Sequence, residues 1–168
     1  AFAFLHALKQ MLLYLGVSDC NLEEGNLRCD VNCSVRPEGR RELGTKVEIK
    51  NLNTFKGVFQ ALRHERDRQE EAVRTGVPIV QETRRWDAEA AATFSMRTKE
   101  QAHDYRYFPE PDLMPVALPP ERIEAWRAAL PELPARKRER FAAHYGLPDY
   151  DARVLAAQKA VADWFEEA

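Results

Sequence analysis

The chain has 168 residues, with 25 Lys and Arg against 27 Asp and Glu and a formal charge of −2. That near-balance excludes a surface that is basic throughout, so any nucleic-acid contact has to come from a local patch. Hydrophobic content of 45% beside 31% charged residues fits a globular protein, no apolar run approaches the roughly 20 residues that span a bilayer, and no leader pattern opens the chain, so a cytosolic location is expected.

The chain opens at Ala1 already in helical rhythm. Phe4, Leu5, Leu8, Met11, Leu12 and Leu15 recur at three- and four-residue spacing, and Gly16 is a helix stop. An onset in mid-pattern suggests further sequence upstream.

From Glu23 to Asn53 the period changes to two. Leu27, Cys29, Val31, Cys33 and Val35 make one apolar row, and Arg28, Asp30, Asn32, Ser34 and Arg36 a polar one. After turn chemistry at Pro37-Glu38-Gly39 and Gly44, Val47 and Ile49 continue the inward row, with Lys46, Glu48 and Lys50 outward. An antiparallel hairpin follows, with Arg28, Asp30, Asn32, Lys46, Glu48 and Lys50 on one face. That face has two readings. It is an ordinary solvated side of a sheet with cross-strand pairs, or it is a site where carboxylate and amide oxygens meet Mg²⁺ and the cations meet phosphate.

Three cysteines, Cys20, Cys29 and Cys33, do not make a disulfide framework. Cys29 and Cys33 stand about 13 Å apart along a strand, too far to chelate one ion, and read as buried small hydrophobes. The histidines His6, His64, His103 and His144 are scattered without ligand spacing.

Asn53 or Thr54 can cap a helix from Phe55 to Thr75 that Gly76 and Pro78 end. Phe55, Val58, Phe59, Leu62, Gln69 and Val73 are its expected apolar stripe, and His64-Glu65-Arg66-Asp67-Arg68 reads as a solvated outer face. Residues 79–86 and 93–97 read as paired strands, with Phe94 and Met96 on one face and Thr93, Ser95 and Arg97 on the other. Glu82, Arg84 or Arg97 could then join the charged face. Asp104-Tyr105-Arg106-Tyr107-Phe108-Pro109-Glu110-Pro111-Asp112 is an aromatic-anchored extended segment. It is a packed connection, or a rigid mount holding Asp104 and Arg106 beside a pocket.

Past Val116 the composition turns helical. Pro119-Pro120 opens a helix to about Leu130, with Ile123, Trp126 and Leu130 as its core face. A second covers 135–144, and a last one, capped by Asp149 or Asp151, carries Val154, Leu155, Val161, Ala162 and Phe165. The basic run Arg136-Lys137-Arg138-Glu139-Arg140 reads as a solvated face or an RNA contact. The expected fold class is α+β, an antiparallel sheet with flanking helices followed by a short all-helical segment, divided as 1–117 and 118–168.

Several motifs go beyond periodicity: Glu23-Glu24-Gly25-Asn26-Leu27-Arg28-Cys29-Asp30-Val31-Asn32, Lys46-Val47-Glu48-Ile49-Lys50-Asn51-Leu52-Asn53, Gln81-Glu82-Thr83-Arg84-Arg85-Trp86-Asp87, Met96-Arg97, and Asp104 to Asp112. In this order and spacing the chain resembles the B-subunit (GatB) family of the glutamyl/aspartyl-tRNA amidotransferases. Ala90-Ala91-Ala92 departs from that pattern, standing where the family usually has a Gly-containing turn.

The resemblance implies an ATP- and Mg²⁺-dependent ligase subunit that phosphorylates the side-chain carboxylate of misacylated Glu-tRNA(Gln) or Asp-tRNA(Asn). Ammonia, freed from glutamine by an A subunit that a C subunit holds in place, then completes the amide. On this pattern 1–117 is the second part of a cradle-like kinase domain and 118–168 the start of a helical domain. The family's N-terminal metal-binding motif has no counterpart, so an internal fragment, inactive alone, is expected. Carried over by position, Glu24, Asp30, Glu48 and Lys50 are the expected catalytic set, with Glu24 and Asp30 facing metal. Arg28, Asn32, Lys46, Asn51, Asn53, Arg97, Asp104 and Arg106 are the expected ligand contacts. The competing reading is a non-catalytic RNA- or protein-binding module.

Overall fold

The computed structural model describes residues 1–98 and 111–168. They divide into two compact units, Ala1–Ala7 with Ser18–Ala102, and Leu8–Val17 with His103–Ala168. Helix α1, Phe2–Tyr14, ends as its spacing predicts, with Gly16 at φ 66° and Val17 N–H donating to the Leu12 carbonyl at 3.2 Å.

The first unit is built on a four-stranded sheet in the order β1-β2-β3-β4, comprising β1 (Val31–Cys33), β2 (Val47–Lys50), β3 (Glu82–Asp87) and β4 (Ala92–Thr98). The predicted hairpin is present: β1 and β2 pair antiparallel, Val31 opposite Ile49 and Cys33 opposite Val47. Val47 and Ile49 are fully buried. Cys29 and Cys33, expected to be buried, are half-buried at the edge of the core, and burial pushes both thiols up.

Helix α2 spans Phe55–Thr75, capped by the Thr54 hydroxyl accepting from Gly57 N–H and closed by Gly76 in the left-handed region. Its length carries the chain back so that β3 lies parallel to β2, Glu48 opposite Thr83 and Lys50 opposite Arg85. A crossover helix is the usual way to join parallel neighbours. The sheet is therefore mixed, with one parallel pair where an antiparallel sheet was expected, and the α+β class holds. β3 starts at Glu82, not at Ile79, and returns antiparallel as β4 with a register shift at Thr83/Arg84. The turn between them holds without glycine. Ala91 takes φ 49°, and Asp87 Oδ1 accepts from the Glu89 and Ala90 N–H groups at 3.1 Å each.

Leu5, Ile49, Leu52, Val58, Ala61 and Trp86 form the core between sheet and helices. The buried stripe of α2 is Gly57, Val58, Ala61, Glu65, Gln69 and Ala72. Phe59 and Val73, expected on it, are 45% and 50% exposed. The stripe is rotated because polar residues take the inward positions of the helix's second half. Gln69 replaces an apolar contact by crossing to the sheet edge, its Oε1 accepting from Val35 N–H at 3.1 Å and its Nε2 donating to the Cys33 carbonyl at 3.3 Å.

The second unit contains, among the described residues, α3 (Pro120–Ala129), α4 (Pro134–Tyr145), α5 (Asp149–Leu155) and α6 (Lys159–Glu167). The single final helix expected is two, broken at Ala156, with Ala152, Ala162 and Phe141 packed into a small core. Tyr14 closes it, its hydroxyl donating to the Ala156 carbonyl at 2.7 Å. Ile123, Trp126 and Leu130 are 39%, 49% and 60% exposed, not the core face expected of α3.

The basic run of α4 is solvated at Arg136, whose side chain is 79% exposed, while its other cations are drawn into ion pairs. Lys137, 7% exposed, reaches Asp163 and Glu166 at 2.8 Å each. Arg140 bridges Glu132 and Glu166 at 2.6 and 2.5 Å, and Arg138 meets Asp149 at 2.5 Å. These charges pin α4 to its neighbours. No helix among the described residues is long and apolar enough to cross a membrane.

Candidate functional site

A cleft of about 470 Å³ opens where the segment before β1 meets the residues after β2. Leu22, Glu23, Glu24, Gly25, Leu27, Arg28, Cys29 and Asp30 form one wall, and Lys50, Asn51, Leu52 and Asn53 the other. The first wall is a hooked turn. Asn21 Oδ1 accepts from Glu23 N–H at 3.1 Å, the Asn21 carbonyl accepts from Asn26 N–H at 2.9 Å, and Gly25 takes φ 78°, a conformation that glycine adopts without strain. Glu24 is thereby presented at the rim, where Asn26 Nδ2 donates to its Oε2 at 3.3 Å.

The second wall is set by the sheet. Lys50 Nζ sits 3.9 Å from Asp30 Oδ2 and 3.8 Å from Glu48 Oε1. The Glu48 side chain is only 17% exposed, and its Oε2 accepts from the Thr83 hydroxyl at 2.8 Å. Asn51 takes φ 65°, a backbone region Asn tolerates better than most residues. Its Nδ2 donates to the Trp86 carbonyl at 3.0 Å. That amide tethers the wall to β3, which is a structural duty beside the ligand contact expected of it.

Of the residues singled out from sequence, Glu24, Arg28, Asp30, Lys50, Asn51 and Asn53 share the cleft. Glu48 stands behind Lys50 rather than in the lining. Asn32 lies opposite Glu48 on the edge strand, and Lys46 is exposed just before β2; neither lines the cleft. Arg97 is in register with Thr83, and Asp104 and Arg106 fall outside the described residues. Glu82 and Arg84, candidates for the same face, belong instead to the helix side. Arg84 binds Glu82 at 2.5 Å and the Thr93 hydroxyl at 2.9 Å, and lies 3.6 Å from Glu65.

Two buried hydrogen-bonding groups escaped sequence reasoning. Thr83, 1% exposed, orders Glu48, yet a threonine inside a strand carries no signal of that job. Glu65, expected on a solvated face, is fully buried. It accepts from Arg68 at 2.7 and 3.0 Å, from Gln69 at 2.7 Å and from the Thr93 hydroxyl at 3.2 Å.

Three carboxylates of the cleft, Glu23, Glu24 and Asp30, face two cations, Arg28 and Lys50. The inner Cys29 thiol is pushed up by burial and by Asp30, so it contributes no anion near neutral pH. An anionic ligand alone would meet net repulsion here, whereas a cation-bound phosphate would have a partner for each charge. Among the described residues no group of three or more His, Cys, Asp or Glu could hold a metal ion. The carboxylate oxygens in the lining are donors of the kind Mg²⁺ takes, but they form no group that would hold the ion on protein ligands alone.

Comparison with known proteins agrees with the motifs. The family model of the GatB/GatE catalytic domain matches residues 1–124. The B subunit of the aspartyl/glutamyl-tRNA(Asn/Gln) amidotransferase of Caldicellulosiruptor saccharolyticus is 56% identical over 164 residues, 98% of this chain and 34% of that protein. The protein of the same name from Picosynechococcus sp. is 54% identical over 165 residues, 98% of this chain and 33% of its own. That from Thermosynechococcus vestitus is 55% identical over 163 residues, 97% and 33%. The chain thus spans about a third of the length of the curated relatives it matches. With the family model covering residues 1–124 and relatives 54–56% identical over 98% of its length, this chain belongs to the GatB/GatE family.

Proposed function

We propose that this chain carries part of the carboxylate-activating site of a tRNA-dependent amidotransferase, within its GatB component. The single observation behind this reading is the mixed-charge cleft, Glu24, Arg28, Asp30 and Lys50, in a chain of this family. In the proposed reaction the terminal phosphoryl group of ATP passes to the side-chain carboxylate of an amino acid esterified to tRNA(Gln) or tRNA(Asn). This leaves ADP and an acyl phosphate. Ammonia released from glutamine by a partner subunit then attacks the acyl carbon, and inorganic phosphate leaves with the electron pair of the broken C–O bond. Activation is required because a carboxylate resists a neutral nucleophile, while phosphate is a competent leaving group.

The chain's own groups divide this work. Lys50 and Arg28 offset charge on the phosphate oxygens. Asp30 and Glu24 would hold Mg²⁺, which when bound would supply Lewis-acid stabilisation of the transferring group. Asn53 and the tethered Asn51 shape the wall against which the nucleotide or the tRNA 3′ end rests. Residues 1–117 carry the activation site and 118–168 begin a helical part, with glutaminase and linking subunits as partners. The alternative of a purely RNA-binding module has less to draw on in α4 than the sequence suggests, since Lys137 and Arg140 are bound to Asp163, Glu132 and Glu166.

The test uses the full-length subunit in its assembled enzyme. Asp30→Ala and Lys50→Ala are each expected to lower ATP-dependent amidation of misacylated tRNA by about 100-fold or more, the scale seen when one transition-state contact is removed. Glutamine hydrolysis by the partner should persist. Wild-type amidation in both variants refutes the assignment.

A further inference from the structure

Thr83 touches nothing in the cleft, yet it is bonded to the group that stands behind Lys50. We infer that Thr83 is a positioning residue for that site, acting through Glu48 on the Lys50 ammonium; the inference rests on the activation role given to the cleft above.

Thr83 and Glu48 are direct partners in the parallel β2–β3 pair, so backbone register alone brings the side chains together. A β-branched side chain in a strand is stiff at χ1, which makes its hydroxyl a fixed donor. It donates to Glu48 Oε2 at 2.8 Å. With that oxygen engaged, Oε1 is turned toward Lys50 Nζ at 3.8 Å, and Asp30 Oδ2 approaches the same nitrogen from the cleft at 3.9 Å.

Exposure rises along this row, from 17% for the Glu48 side chain to 38% for Lys50 and 54% for Asp30. The row thus runs from the sheet interior to the ligand side. Both separations from Lys50 exceed hydrogen-bond length. The two carboxylates consequently steer the ammonium without saturating its donors, which remain for an anionic oxygen brought by a ligand. A lysine on a flexible stem gains most from such steering, because few of its rotamers point at any one spot. Glu48 is accordingly a positioning group too, and Lys50 the one that touches phosphate.

The experiment is steady-state amidation by the full-length subunit in its assembled enzyme, with ATP varied. Thr83→Val keeps the shape and removes the hydroxyl, and it is expected to raise KM for ATP about tenfold, as loss of one hydrogen bond to a charged group would. Thr83→Ser keeps the hydroxyl and should stay within about twofold of wild type. In a Lys50→Met background Thr83→Val should add no further loss, because its effect passes through Lys50.

A wild-type KM in Thr83→Val, or losses that multiply in the double variant, overturns the inference. Should Thr83→Val not assemble, Glu48→Gln gives the same readout. It keeps an acceptor for Thr83 and removes the attracting charge, and an unchanged KM for ATP there overturns the inference equally. The two levels of argument separate on Lys50→Met alone. Normal amidation in that variant rejects the cleft as the activation site, while a crippled Lys50→Met beside a normal Thr83→Val rejects only the role of Thr83.

Discussion

Removing Glu65 is the sharpest test of how the sheet is held to its helix. This carboxylate is fully buried and collects donors from Arg68, Gln69 and Thr93, with Arg84 at 3.6 Å. Burial pushes its carboxyl up, but the hydrogen bonds from Arg68 and Gln69 and the charges of Arg68 and Arg84 outweigh that and hold it below the ordinary glutamate range.

Breaking a buried pair by deleting one partner costs about 3–5 kcal/mol, since the other charge is left uncompensated. Here Arg84 keeps Glu82 at 2.5 Å, and the Arg68 side chain is 29% exposed and can hydrate. The lower end, about 3 kcal/mol, is therefore expected for Glu65→Ala. Hydrogen exchange on the full-length protein reads this directly, as protection over 58–75 should fall about 100-fold. Arg74→Ala, which breaks an exposed pair with Glu71, is the control and should cost less than about 0.5 kcal/mol.

The pH dependence follows from the sign of the shift. A carboxyl lowered on folding stabilises above its unfolded value of about 4.3, and that contribution disappears as pH falls through the folded value beneath it. Glu65→Gln should shrink this acid limb for α2 and the sheet, the Glu82 carboxyl, also held low, supplying what remains. Unchanged protection in Glu65→Ala would refute the hub.

Asn51→Ala should lose both the left-handed preference and the tether to the Trp86 carbonyl, costing about 2 kcal/mol, while Asn51→Gly should recover roughly half by removing the strain; equal losses measured by denaturant titration would contradict this. Lys137 is pushed down by burial, but its bonds to Asp163 and Glu166 prevail and hold it above the usual lysine range. Its contribution is thus complete below the unfolded value of about 10.4 and lost as pH rises through the folded one. Bonds from Lys137 lower Asp163 and Glu166 in turn, so the α4–α6 contact should also loosen in acid, below about pH 4. Helicity of the second unit followed against pH should lose the alkaline limb in Lys137→Met and keep part of the acid one, since Lys159 and Arg140 still lower Asp163 and Glu166.

What could be read without coordinates was whatever the chain settles over a few residues. The Thr54 cap and Gly76 stop set α2 to the residue, since caps act on backbone groups one turn away. The two-residue alternation from Leu27 to Ile49 placed Asp30, Glu48 and Lys50 on one face, because successive strand side chains must point oppositely. Linked motifs carried the family, and the match over residues 1–124 agrees.

Which partner waits on the far side of a crossover was not legible. Glu65 reads as one charge among several alternating ones, and only when α2 lies across the sheet do Arg84 and Thr93, from strands remote in sequence, turn it inward. Lys137 reads as one cation of a solvated or RNA-facing run until Asp163 and Glu166 arrive from α6. In the same way the parallel register of β2 and β3 puts Thr83 beside Glu48. Short-range rules decided where helices and strands lie and which faces they own. Charges burying one another across tens of residues were decided by packing, because a buried carboxylate persists only where the fold delivers its donors.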